Sequence, residues 1–347
     1  MAAARNLTLD GWRAIGVVGV MWLHWAPREW RGAFPFEMGL YFFLVLTGFF
    51  VTRLCLRDRD ERKPGAYRSF IKRRGLRILV PCLVAMAVGW IAGAPDLRAH
   101  PGWYLSQLSN FHIARSLEWP SGTSHYWSLA IQSQFYLLWP LLVLFLPRRA
   151  LGPVFVGIVL TAPLSRYLLA TFMPELPHRG AVTSCAFDYL GTGALLALGM
   201  HAGMKPGDHR LRRAALVSAL FYAVLYVMEE SGRPVPGLRH FQQTFLSVAL
   251  AGLIAKSLSG LPRRLAGLLE HRAVQHVARL SYALYLLHTI VPILLGHLLP
   301  FLWMLPDHGP GLALRLVVFF LASWGGAWLL WRFVEQPMER IRGRIMA

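Results

Sequence analysis

Ten stretches of the 347-residue chain are apolar over the length of a bilayer crossing, and short connectors rich in arginine separate them. A backbone in hydrocarbon must satisfy its own N–H and C=O groups, so continuous apolar runs of this length restrict the chain to membrane-crossing helices. The stretches run roughly from 12 to 27, 38 to 55, 78 to 94, 126 to 146, 152 to 172, 184 to 204, 214 to 230, 241 to 259, 280 to 300 and 312 to 334. With 55% hydrophobic residues, the chain has apolar runs too many and too long for a soluble core. The expected fold is all-α: a polytopic integral membrane protein of about ten transmembrane helices. One domain covers residues 1–347, with no internal repeat and no appended soluble domain.

The formal charge of +19 would suggest a nucleic-acid partner in a soluble protein, but here it reports topology. With the amino terminus inside, 27 of the 36 basic residues fall on one side. They are Arg5 and Arg13, ten from Arg53 to Arg77, Arg148 and Arg149, and the groups Lys205 to Arg213, Lys256 to Arg279 and Arg332 to Arg344. That asymmetry fixes the orientation, with both termini in the cytoplasm. A multi-pass protein of the cell inner (cytoplasmic) membrane, with membrane lipids and no nucleic acid as partners, is the expectation. Three cysteines, Cys55, Cys82 and Cys185, lie in or beside apolar runs, and their odd number argues against a disulfide framework. Asp10 and Arg13 interrupt the first apolar run, and no clean small-residue cleavage site follows, so it is read as a retained span and not a signal peptide.

The first stretch, Leu9 to Trp25, carries Arg13 and His24 eleven residues apart. At about 100° per residue that is three turns plus roughly 20°, so both side chains share one helix face, about 16 Å apart along the axis. Ionisable groups in a span mark a site facing the protein interior. A basic anchor and a hydrogen-bonded interface histidine are the alternative. Further along, Lys72-Arg73-Arg74-Gly75-Leu76-Arg77 closes the most basic connector. Arg74 and Arg77 are spaced to grip a phosphate from one side, or to anchor lipid headgroups. The longest outer connector, Pro95 to His125, is read either as an interfacial cap on the bundle or as an acceptor lid, and Glu335 is spaced to pair with Arg332.

Six segments then follow a recognisable order. They are Leu9-Asp10-Gly11-Trp12-Arg13-Ala14-Ile15 with His24, Phe42-Phe43-Leu44-Val45-Leu46-Thr47-Gly48-Phe49, and Arg74 with Arg77, Ile78 and Pro81. Trp127-Ser128-Leu129-Ala130-Ile131-Gln132-Ser133-Gln134-Phe135-Tyr136 comes next, then Ser281-Tyr282-Ala283-Leu284-Tyr285-Leu286-Leu287-His288 and Arg332-Phe333-Val334-Glu335-Gln336-Pro337. Together, from residue 9 to residue 338, they resemble the signatures of membrane acyltransferase family 3, whose members O-acylate sugars and other hydroxyl acceptors. Four positions depart from that pattern: the family commonly has Asp at Tyr41, Ser at Thr47 and Glu at Gln132, and Ala186 stands where an Arg usually precedes the acidic Asp188 by two residues.

The resemblance implies an acyltransferase that moves an acyl group, acetyl foremost, from acyl-CoA to a hydroxyl of a glycan or glycolipid, with acyl-CoA as co-substrate and no bound cofactor. Such transfer needs a base for the hydroxyl proton, a partner for the oxyanion and a place for the donor's phosphates. His24 is the candidate base or transient acyl carrier, and Arg13 the candidate catalytic and donor-holding cation. Arg73, Arg74, Arg77, Thr47 and Gly48 are candidates for the donor site, although Gly48 equally suits helix packing. Asp10, Gln132, Tyr136, Asp188 and His288 are candidates for acceptor contact or support. No metal site is expected, since the histidines are scattered and no Cys/His cluster or His-Glu pair has ligand spacing. The rival readings are a transporter or flippase of an anionic or glycolipid substrate and an acyltransferase acting on a small secreted metabolite. Inverted repeats and paired broken helices would mark a transporter, and neither is legible. Oligomeric state is not encoded in these features.

Overall fold

The computed structural model describes residues 6–31 and 35–346, and every regular element among them is helical. Arg5, counted above with the cytoplasmic charges, lies outside the described residues. The principal helices are α1 (Leu7–Trp25), α2 (Met38–Asp60), α3 (Ala66–Ile91, with a π-helical turn at Gly75–Leu79), α4 (Tyr126–Phe145), α5 (Arg148–Phe172) and α6 (Phe187–His201). They are followed by α7 (His209–Glu230), α8 (Gln242–Ser259), α9 (Arg272–Leu287), α10 (Ile290–Leu298) and α11 (Gly309–Leu330).

Each of the ten apolar stretches is helical. Among the described residues, six helices are long and apolar enough to cross a membrane, or up to eight if each of two bent pairs counts as one span. The 15 residues of α6 reach about 22 Å, short of a hydrocarbon core of about 30 Å. The 19-residue α1 carries Asp10, Arg13 and His24 within its length. The stretch from 280 to 300 breaks by 70° between α9 and α10, and Leu238–Ser259 turns by 99° into Arg263–Leu269, so broken helices that the apolar runs concealed are present.

Small residues set how closely the helices pack. A Cβ on Gly48 of α2 would lie 2.0 Å from the Leu190 carbonyl oxygen of α6, and one on Gly193 of α6 would lie 2.0 Å from that of Val45. The two helices therefore meet backbone to backbone. Gly11 of α1 likewise admits Leu269, whose Cβ would sit 2.6 Å from an added methyl. Asn6 starts α1 by accepting from the Leu9 N–H at 2.9 Å. The interior forms two packed clusters, one around α2, α4, α6 and α8 and the other around α1, α3, α9 and α11.

Arg59 donates to the Val143 carbonyl at 2.7 Å, while Asp60 pairs with Arg148 and, at 3.1 Å, with His201. These contacts gather the basic ends of α2, α4, α5 and α6. Over the other end lies the connector before α4, folded into the short helices Pro95–Ala99, Pro101–Leu105 and Ser109–Arg115. Its anchor is Asn110, fully buried, which donates to the Ala181 carbonyl at 3.1 Å and accepts from Gln134 at 2.8 Å. Arg332 bonds Gln336 at 2.6 Å rather than Glu335, because the π-helical turn at Trp331–Glu335 takes the two residues out of i, i+3 register.

Candidate active site

Polar groups recur at Ser281, Tyr282 and Tyr285 of α9 and at His288, its C-cap, a helical spacing in an otherwise apolar run, and together they bond to three other helices. Ser281 accepts from Arg13 at 2.9 Å, and Tyr282 donates to the Ile78 carbonyl in the π-helical turn of α3 at 2.7 Å. Tyr285 bonds Ser128 of α4 at 2.6 Å, and His288 Nε2 lies 3.3 Å from His24 Nδ1. Helix α9 is thus the post to which α1, α3 and α4 are tied.

The carbonyl partners assign the imidazole protons. His288 Nδ1 lies 2.7 Å from the Tyr285 carbonyl, which can only accept, so Nδ1 carries the proton and Nε2 the lone pair. His24 Nδ1 is 2.9 Å from the Val20 carbonyl and donates there and toward His288 Nε2. Its own Nε2 is therefore the basic nitrogen. His288 is fully buried and His24 half-buried, and the Trp25 indole N–H holds the His288 carbonyl at 2.8 Å at the break between α9 and α10.

A third imidazole completes the cluster. The ring of His125, at the start of α4, is centred 5.1 Å from that of His288. Thr289 gives its proton to the Gly122 carbonyl at 2.8 Å, so His125 Nδ1 donates to Thr289 at 2.7 Å and His125 Nε2 keeps a buried, unpartnered lone pair. Burial, reinforced by the nearby His24, holds the His125 ring below the usual imidazole range. Sequence reading passed over His125, Ser281 and Tyr285. The signal for the two α9 residues was their helical spacing, whereas His125 sits in a connector with no pattern around it.

Arg13 is held by Asp10 and Ser281, each at 2.9 Å, with a quarter of its side chain exposed, so Asp10 orients the guanidinium. Gln132 accepts from Tyr136 at 3.5 Å, and Tyr136 and Phe70 stack on Arg74 with ring centres 5.5 and 5.6 Å from the guanidinium carbon. Arg77 is exposed. Arg73 is buried in an ion pair with Asp58 at 2.9 Å. Thr47 is half-buried on α2, beside the packing contact that Gly48 makes with α6.

Asp188 is fully buried, and its carboxylate accepts from Arg166 at 2.7 Å, Thr244 at 2.8 Å and the Tyr189 N–H at 3.0 Å. Arg166 comes from α5 and supplies the guanidinium that is absent at Ala186. Tyr41 stacks on Tyr189, centre to centre at 4.3 Å. An apolar cavity of about 660 Å³ lies along α1 against Trp12, Ile15, Trp22 and Phe36, and neither Arg13 nor His24 lines it.

Fold and site together define a multi-span helical membrane protein with a buried, proton-ordered histidine cluster at one end of the bundle. Residues 6–332 match the family described as an acyltransferase domain, and the chain belongs to that family. It is 24% identical to the peptidoglycan O-acetyltransferase OatA of Listeria monocytogenes, over 96% of this chain and 56% of the relative. It is 30% identical to the O-acetyltransferase OatA of Staphylococcus aureus, over 41% of this chain and 25% of that protein. The chain thus spans about half the length of the Listeria relative. No solved structure matches it.

Proposed function

We propose that the chain is an inner-membrane O-acetyltransferase that moves acetyl from acetyl-CoA to a hydroxyl of a cell-envelope glycan or glycolipid, peptidoglycan being the acceptor in the name of the Listeria relative. The observation that carries this reading is the ordered relay from the Tyr285 carbonyl through His288 to His24, which leaves His24 Nε2 as a base at the end of α1. In the transfer, His24 Nε2 takes the acceptor's hydroxyl proton as the hydroxyl oxygen forms its bond to the acetyl carbon. The carbon–sulfur bond then breaks, and the proton passes from His24 to the departing thiolate. As the imidazole becomes cationic, the proton on His24 Nδ1 strengthens its bond to His288, in the way a carboxylate supports a catalytic histidine.

Arg13 meets the donor's anionic part in this reading, which its hold by Asp10 and Ser281, three helical turns from His24, supports. Arg74, at the start of the π-helical turn of α3, and Arg77, within it, serve as further phosphate contacts. The basic ends gathered at Asp60 support an inside position for that end, and therefore a cytoplasmic entry for the donor. The two broken helix pairs are the observation favouring a carrier. Full-length protein, in detergent for ester formation and reconstituted into lipid vesicles for movement, given radiolabelled acetyl-CoA and a glycan acceptor, tests both readings. Labelled ester formed by wild type and lost in a folded His24→Ala variant supports the transferase. Ester formation unchanged in His24→Ala removes His24 from the chemistry, and acceptor-independent movement of substrate across vesicles without ester identifies a carrier.

A further inference from the structure

We propose that Asp96, His100 and His112 bind a divalent transition-metal ion, zinc by preference, in the cap over the histidine end of the bundle. The three residues are spread across two short helices and the link between them, yet their ligand atoms all lie within 4.8 Å of one another. His112 Nε2 is 3.0 Å from Asp96 Oδ1, and the His100 and His112 rings are centred 4.6 Å apart. Zinc bonds of about 2.0–2.2 Å set tetrahedral ligand atoms roughly 3.4 Å apart, so the group closes on an ion through a shift of about an ångström. His100 is exposed, and rotation of its side chain supplies that movement.

The surroundings are those of ligands held in place. Tyr104, fully buried, donates to Asp96 Oδ2 and so leaves Oδ1 for the ion. Trp103 stacks on the His112 ring at 5.9 Å. Two imidazoles and one carboxylate form a nitrogen and oxygen set that suits zinc, with a fourth position left for water. Bound there, the ion takes the place of the proton between His112 and Asp96 and ties Pro95–Ala99 to Ser109–Arg115. Tyr104 also bonds Thr123 at 3.0 Å, two residues before His125, so the ion braces the segment that delivers His125 to the cluster. Neither the site nor its test depends on the transferase reading.

The test uses full-length protein in detergent, stripped with chelator and titrated with Co²⁺, whose visible bands report tetrahedral ligation, and with Zn²⁺ by calorimetry. Wild type is expected to take one equivalent with tetrahedral bands and a raised melting temperature. His100→Gln and His112→Gln are expected to weaken binding by about 10- to 100-fold or more. His100→Gln alters an exposed ring, so its metal-free melting temperature should equal that of wild type. Wild type that takes no Co²⁺, or variants that bind it as tightly as wild type, would overturn the proposal.

Discussion

At the scale of single residues, the proposed transfer depends on which nitrogen of His24 carries a proton, and two backbone carbonyls and a second histidine set that proton's place. His24→Ala should lower turnover by about 10²–10⁴-fold, the range a positioned base supplies, as measured by ester formation at saturating donor. His288→Ala should lower kcat while leaving the acetyl-CoA KM near wild type, because His288 orients the base and touches no donor group. His288→Gln, whose amide can still accept from His24, should restore part of the loss. Equal losses in both His288 variants would show that orientation is not its role. Arg166 offers a different test: Arg166→Met strands the buried Asp188 carboxylate and should destabilise the protein by about 3–5 kcal/mol, read as a fall in the detergent melting temperature. The double variant Arg166→Met with Asp188→Leu should recover most of that loss, since neither charge then remains buried alone.

At the scale of elements, α1 and α9 work as a parallel pair joined at both ends, Arg13 to Ser281 and His24 to His288. The 70° break after His288 is what turns the α9 terminus so that its carbonyl meets Trp25. The α2–α6 crossing is the tightest in the bundle's other half, and Gly48→Val should force the helices apart at a cost of about 1–3 kcal/mol, seen as lowered melting temperature and yield. Arg74 and Arg77 belong to this scale because the π-helical turn that begins after Arg74 and contains Arg77 changes the faces they present. Arg74→Ala and Arg77→Ala should raise the acetyl-CoA KM several-fold with kcat little changed, and unchanged donor kinetics would reduce them to topology anchors.

At the scale of the whole molecule, the sequence by itself determined that the chain is helical, apolar in ten stretches and basic at one end, because lipid leaves the backbone no alternative to the helix and because charge sorts by side. It also placed Arg13 and His24 on one face, since that follows from helical periodicity within a single element. Their partners were not legible: His24 meets His288 across 264 residues, and Arg13 meets Ser281 across 268. The guanidinium missing at Ala186 arrives from Arg166, 22 residues before Asp188 and on another helix. Gln134 anchors the cap, although Gln132 is the position where the family commonly carries Glu. Only the tertiary structure decided these pairings, where two long apolar runs bend, and which runs are long enough to cross. The reason is physical: periodicity and hydropathy are local properties of a helix, whereas contacts between helices depend on how deeply small residues let two backbones approach and on the register that approach imposes.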